Sequence, residues 1–486
     1  MATSARTLVT LMTGTAGTVV LGIARQKYLA HAVGVVGIGE LGLLLTFVTL
    51  LGTLWAAGLG TSGVRRLAMA QGEGGMETRE VARALLGLGT GLGLVGAVLA
   101  YMLAPRLGAL FGVDETVLGA LGFCAAAVWA TVASATRIAL LNGLRRVGAF
   151  TKANVVGGLL ATLGTVAGVA TFGRAALGLA VLLPPLCTWA VAWWLSRDVQ
   201  VFGPGLGGAL RRYAVPLLRV GAAFMAGGLV GTVMQYAARR VVGEVLGEAP
   251  LGLFQATWSI SGLYIGFVLS AFAADYYPRV SALNGQPEAQ AEVLESQVML
   301  SVRLVVPIIL GAILAAPLVV RLLYTGDFAP MVPMLRWQLA GDVLKVTAWA
   351  LAYLLLARGA TVLFAVIEAL WAIAYLALLP VLLPRFGLEG AAFAYTACYS
   401  VYLSALLAVV RTRMGVRVRP KLLGTVLALA LVTASMAALS EAGPAGFVAA
   451  VTVAFGAGGA LAYDAYRHGV LNRFLPSRWV RPRPAP

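Results

Sequence analysis

Apolar positions in this chain fall in unbroken blocks of about 18–25 residues, with the polar residues gathered in short Arg-rich stretches between them. Blocks that are apolar on every side predict helices that cross a membrane. Fourteen such blocks are read, from 7–30 and 36–61 through 250–272, 301–323 and 334–357 to 422–440 and 445–464. The expected fold is all-α, a polytopic membrane protein of about 14 transmembrane helices. With 60% hydrophobic and 11% charged residues, against roughly 25% charged in soluble domains, water-soluble classes drop out. The first block begins after six residues and has no small-residue cleavage site behind a short apolar core, so it reads as an uncleaved span.

The net charge of +17 raises nucleic acid as a partner, but the cations alternate from loop to loop. Counted by span, 26 Lys and Arg lie on the side of the two termini and 7 on the other, with Arg25, Lys27 and Lys345 within or at the margin of spans. That bias reads as loop charge and orients both termini to the cytoplasm, with no nucleic acid partner. Cys124, Cys187 and Cys398 all fall in apolar blocks, and His31 and His468 stand far apart, so no metal and no cofactor is expected. "GIGELG" (Gly37, Gly39, Gly42) has the spacing of a dinucleotide-binding loop, but no strand precedes it, and that reading is rejected.

The chain repeats. Lys27 and Arg240, Gly39 and Gly252, Arg66 and Arg279 are each 213 residues apart. Both halves leave their second span through similar phrases, "SGVRRLAM" and "YYPRVSAL", and enter an amphipathic connector. Two six-helix lobes in a pseudo-twofold parallel repeat follow, with two extra C-terminal helices. The expected division is 1–198 (spans 1–6), a linker at 199–215, 216–411 (spans 7–12), and 412–486, comprising a basic loop, spans 13–14 and a basic tail.

"GDVLKVTAW" places Asp342 and Lys345 one turn apart inside a span, where each charge costs at least about 2.5–3.5 kcal/mol. Gln338, Asp342, Lys345, Trp349 and Tyr353 share one helical face. A wet cavity would explain both the charges and the aromatics, since sugars stack on Trp and Tyr; a locking ion pair would explain the charges alone. Arg25 and Lys27 have repeat-mates Arg239 and Arg240 at the outer ends of spans one and seven. They read either as snorkelling cations or as a vestibule for a phosphate or pyrophosphate, with Glu40 balancing one of them. In span eight, Gln255, Trp258, Ser259, Gly262 and Tyr264 read as substrate contacts or as bundle packing. Glu368, Trp371 and Tyr375 form a weaker stripe in span eleven.

"LGLFQATWSISGLYIGFVL", "DYYPRVSAL" and "WQLAGDVLKVTAWALAYLLLARG", with "KYLAHAVGVVGIGELGLL" and "GLGTSGVRRLA" earlier, resemble the Wzx-type flippases of O-antigen and enterobacterial common antigen. These belong to the multidrug/oligosaccharidyl-lipid/polysaccharide exporter superfamily. The resemblance covers roughly residues 5–410. It implies a non-enzymatic carrier in the bacterial cytoplasmic membrane that moves a polyprenyl-pyrophosphate-linked oligosaccharide outward by alternating access, alongside glycan polymerase or ligase machinery. It also implies that Gln255, Trp258, Asp342, Lys345 and the Arg25/Lys27 region serve the substrate. One departure is Gly34-Val35-Val36-Gly37, where the family often has a Gly-Pro turn, which leaves the bend between the first two spans open. A lipid II flippase, a cation-coupled drug exporter and a membrane-embedded glycan polymerase or ligase remain alternatives.

Overall fold

The computed structural model describes residues 2–73, 75–111, 115–199 and 205–467, and among them every regular element is helical. In chain order the helices are α1 (Ala2–Ala56), α2 (Leu59–Glu73), α3 (Gly75–Phe111), α4 (Glu115–Gly143), α5 (Val147–Phe172), α6 (Leu177–Leu195), α7 (Leu206–Leu246) and α8 (Glu248–Ala271). They continue with α9 (Tyr277–Ala282), α10 (Pro287–Leu314), α11 (Ala316–Leu323), α12 (Val332–Ala357), α13 (Thr361–Phe386), α14 (Glu389–Met414), α15 (Pro420–Glu441) and α16 (Gly443–Arg467). Hydrocarbon offers backbone groups no partner, and a helix satisfies all of them within one segment.

Among the described residues ten helical stretches are long and apolar enough to cross a membrane. One of them, Gly17–Gln71, bends at Gly34 (φ 66°, ψ −170°), and another, Val147–Leu195, is interrupted by a 3-10 turn at Gly173–Ala176. The helices α7 and α8 run a further 41 and 24 residues. The open question of the first bend is thereby answered: Gly34 turns the chain without a proline, in a conformation reserved for glycine.

The 213-residue offset recurs in the backbone. Gly247 (φ 97°, ψ −177°) separates α7 from α8 as Gly34 divides α1. Gly173 (φ 56°, ψ −135°) and Gly387 (φ 56°, ψ −141°), 214 residues apart, close α5 and α13. Arg145 (φ 54°) and Gly359 (φ 73°), again 214 apart, end α4 and α12. These last two carry the same C-terminal cap. The Arg145 N–H donates to the Asn142 carbonyl and the Arg146 N–H to that of Leu141 (both 2.9 Å), as Gly359 donates to Leu356 and Ala360 to Leu355 (both 3.0 Å).

Packing divides the chain into two units, Met1–Gln255 with Leu322–Asp327, and Ala256–Arg321 with Phe328–Pro486. The first unit includes α7, which packs on α1, α2 and α3. In the first unit α4 lies against α3 and α6, and α5 against α6 and α1. Here the rejected "GIGELG" motif acquires a use. A Cβ on Gly39 would stand 3.0 Å from the Gly252 nitrogen, one on Gly252 would strike the Val35 carbonyl, and one on Gly42 would meet the Gln255 side chain at 2.6 Å. The glycines let the first turns of α8 cross α1 just beyond its bend.

In the second unit α12 is central, packed on α10, α14 and α15. The ninth span is Pro287–Leu314, and the expected 301–323 is corrected accordingly. The acidic connector continues as helix with Pro287 in its first turn, and the chain breaks at Ala315 before the short α11. Arg336, expected on the outer face, is buried and donates to the carbonyls of Ile313 (3.2 Å) and Ser440 (3.1 Å). Arg303 pairs with Asp464 (2.6 Å), and Arg419 with Glu295 (3.4 Å), which ties the two C-terminal helices to α10 and α12.

Two outcomes test this account by thermal unfolding in detergent. Replacing the strained Arg145 with glycine is expected to stabilise the protein by up to about 1 kcal/mol, whereas a drop in the midpoint would refute the shared cap. Gly252→Ala is expected to cost about 1–3 kcal/mol. Gly243→Ala, whose Cβ would meet Leu251 at an ordinary 3.5 Å, should be neutral or mildly stabilising.

Candidate functional site

The second unit gathers its polar groups around α12. Asp342 is fully buried, and its carboxylate accepts hydrogen bonds from Ser261 Oγ (2.8 Å) and Tyr264 Oη on α8 and from Tyr395 Oη (2.5 Å) on α14. Three hydroxyl donors replace the water that a carboxylate needs. The approach of Tyr395 depends on Gly341, where a Cβ would stand 2.6 Å from Thr396 Oγ1 and 3.0 Å from the Tyr395 ring.

Lys345 lies one turn further along α12 and is half-buried. Its Nζ stands 5.5 Å from the centroid of Tyr395, 5.7 Å from Tyr399 and 6.0 Å from Trp258. Ring faces carry negative charge density, so three of them around one ammonium stabilise it, and Asp342 and Glu368 attract it from beyond contact distance. Among the described residues Asp342 and Lys345 form no ion pair. Asp342 attracts Lys345 without touching it: the direct contacts of Asp342 are hydroxyls, and those of Lys345 are rings.

The aromatic wall extends outward. Tyr395 and Tyr399 meet edge to face at 4.7 Å, Trp371 sits 4.9 Å from Tyr399, and Trp371 stacks on Tyr375 with the planes 4° apart. Tyr402 donates to Glu368 on α13. From Trp349 the stripe reaches Tyr353 at 6.0 Å. Tyr353 belongs to a second cluster with Phe272 (5.9 Å) and Tyr277 (6.1 Å), and its hydroxyl donates to the Leu269 carbonyl (3.3 Å). Gln338 is core, nearly inaccessible.

The other expected residues belong to the first unit. Arg239 is buried and donates through Nε to Gln255 Oε1 (2.6 Å) and through Nη1 to the Gln235 carbonyl (2.9 Å), so Gln255 serves this arginine. Arg240 pairs with Glu244 one turn on (2.7 Å). Lys27 is exposed and Arg25 half-buried, and neither makes an ion pair among the described residues. Glu40 pairs with Arg174 rather than with any of these four, which corrects that expectation. The four cations thus separate into two that are engaged and two that are available.

Sequence reasoning overlooked Ser261, Tyr395, Tyr399 and Tyr402. A signal for the tyrosines existed: they recur at i, i+4 and i+7 in a 26-residue apolar helix, a single face of α14. Nothing in the pattern set Ser261 apart from Ser259.

The chain is 26% identical over 401 residues to the lipid III flippase of Escherichia coli K12, covering 79% of this chain and 92% of that protein. The same figures hold for the lipid III flippase of Shigella flexneri. Among solved structures, the lipid II flippase MurJ in an inward closed conformation superposes with a TM-score of 0.72 at 14% identity, covering 95% of this chain and 100% of that one. An inward-facing multidrug resistance MATE family transporter of the MOP superfamily gives 0.68 at 18% identity, covering 82% and 94%. These two likenesses establish the fold of a multi-pass helical membrane protein. A family model described as polysaccharide biosynthesis protein matches residues 38–333, more than half of the length, and the chain belongs to that family.

Proposed function

We propose that this protein is a flippase that carries a polyprenyl-pyrophosphate-linked oligosaccharide from the cytoplasmic to the outer leaflet of a bacterial inner membrane. The observation that carries the reading is Lys345, an intramembrane cation among aromatic faces with no carboxylate in ion-pair contact among the described residues. Such a cation is free to meet an anion, and the surrounding Trp and Tyr rings suit sugar faces. Arg25 and Lys27, without an ion pair among the described residues, would meet the pyrophosphate; Arg239 and Gln255, bonded to each other, and Arg240, paired with Glu244, would shape that surface. Trp258, Trp349 and Tyr353 would offer stacking surfaces, with Asp342 fixing the tyrosine hydroxyls around them. The curated relatives named lipid III flippase support the substrate class.

In this reading fourteen spans form two lobes, 1–198 and 216–411, that rock about the substrate, with both termini cytoplasmic and residues 412–486 as an appendage. The prenyl tail stays in lipid throughout. A pyrophosphate diester carries about two negative charges, and moving each outward is favoured by about 2.3 kcal/mol per 100 mV of inside-negative potential. The potential alone therefore supplies about 4–5 kcal/mol of bias without nucleotide hydrolysis. The lipid II flippase is the second reading, favoured by the superposition with MurJ; complementation of a strain lacking one flippase or the other separates the two.

Lys345→Ala is expected to abolish transfer of lipid-linked oligosaccharide in proteoliposomes while the protein still inserts and folds; full transfer by this variant would sink the proposal. Tyr395→Phe removes one donor to Asp342 but keeps the ring facing Lys345. It is expected to lower stability by about 1–3 kcal/mol and to retain measurable transfer. Loss of transfer as complete as in Lys345→Ala, with unfolding unchanged, would show that the hydroxyl rather than the cage carries the activity.

A further inference from the structure

In the first unit α2 and α7 splay apart from a glycine crossing. A Cβ on Gly58 would fall on the Gly221 carbonyl, and one on Gly221 on the Ala57 carbonyl, so the two backbones touch there. Beyond that point α2 continues through Ser62 to Met69 while α7 runs back from Val220 to Arg212, and between them lies a cavity of about 420 Å³. Leu59, Leu67 and Ala70 bury the other face of α2 against α3, α4 and α7, which fixes the wall of the cavity. No part of this cavity belongs to the residues argued above to meet substrate.

Its lining is amphipathic. Leu217, Pro216 and Val220 stand on the side toward the crossing, and Arg65, Arg66 and Arg212 lie further out. The Tyr213 ring lies between two guanidiniums, Arg66 at 5.5 Å and Arg212 at 5.3 Å from its centroid. Each of these arginines is also held by an acid on α3, Arg66 by Glu77 (2.6 Å) and Arg212 by Glu80 (3.5 Å). Two carboxylates thus offset two guanidiniums and hold them in position. Arg65 has no acidic partner among the described residues, and in the same wall the buried hydroxyl of Ser62 makes no hydrogen bond there. The cavity therefore presents one uncompensated positive charge, prearranged N–H donors and an apolar inner end.

We propose that this wedge between α2 and α7 binds a singly charged phosphodiester headgroup, with the first carbons of its chain against Leu217 and Val220. A guanidinium fork matches phosphate oxygens, and a net charge of one suits a diester over a pyrophosphate. By the positive-inside count this end of the unit faces the cytoplasmic leaflet, where phosphodiester lipids are abundant. The site does not depend on the flippase reading, and would stand if that reading failed.

The test is calorimetric titration of the full chain in uncharged detergent with dihexanoyl-phosphatidylglycerol, glycerophosphoglycerol (the same headgroup without chains), dihexanoyl-phosphatidylcholine and inorganic pyrophosphate. One saturable site for dihexanoyl-phosphatidylglycerol is expected, weakened about tenfold by Arg65→Gln, retained in Arg65→Lys, and unchanged by Arg413→Gln at an exposed position in the second unit. Arg65 is exposed, so its variants should fold, and an unchanged unfolding midpoint checks this. Weaker binding of glycerophosphoglycerol identifies a bilayer lipid as the source, and equal binding a soluble phosphodiester; both uphold the site. The proposal is overturned by absence of saturable binding, by an Arg65→Gln affinity equal to wild type, by phosphatidylcholine binding as tightly as phosphatidylglycerol, or by tighter binding of pyrophosphate through Arg65.

Discussion

A peptide group that leaves its helix inside hydrocarbon finds no water to bond, and everything else in this structure follows from that constraint. Straight helix needs no special residue. A change of direction does, because it must unpair as few backbone groups as possible within one or two residues. Left-handed glycines accomplish this at Gly34, Gly173, Gly247, Gly359 and Gly387. Their recurrence at 213 or 214 residues shows that turns, more than side chains, preserve the repeat. At the position mated to Gly359 the chain has kept the cap but put Arg145 in it, accepting strain on an exposed turn.

The same scarcity of water governs the buried charges. Asp342 and Lys345 attract each other across one helical turn, yet they make no ion-pair contact, and each takes its direct contacts from other groups. A carboxylate is acceptor only, so three hydroxyls complete it; an ammonium needs electron density, which aromatic faces provide without neutralising its charge. In the proposed function this arrangement matters. A lysine locked to an aspartate would have to break an ion pair to receive an anion, whereas a lysine among rings keeps its charge available. In the first unit the opposite solution prevails at Arg239 and Arg240, each tied to a neighbour, and Gln255 acts as a strut.

Membrane character, helical class and the polar stripe on α12 were legible along the chain because each is a local property: segment length, hydropathy and helical period. The repeat was legible because offset is preserved in numbering. The "GIGELG" glycines were visible but their role was not, since close approach of α8 to α1 is a fact about two distant segments. The span expected at 301–323 starts too late because apolar content rises after Ser301, whereas the helix itself begins at Pro287, with Glu288 in its first turn where the helix dipole favours an acid.

Sequence by itself determined which residues bear charge in the apolar segments and that those segments are helical, because desolvation and backbone pairing act on each segment alone. Tertiary structure decided who partners whom. Tyr395 and Tyr399, more than fifty residues beyond Asp342, surround its neighbour Lys345 only because Gly341 lets α14 close on α12. Glu40 finds Arg174 rather than the cations near it in sequence. Hydrogen bonds and ring contacts act over a few ångströms in space, and no spacing along a chain encodes which of several eligible side chains will arrive there.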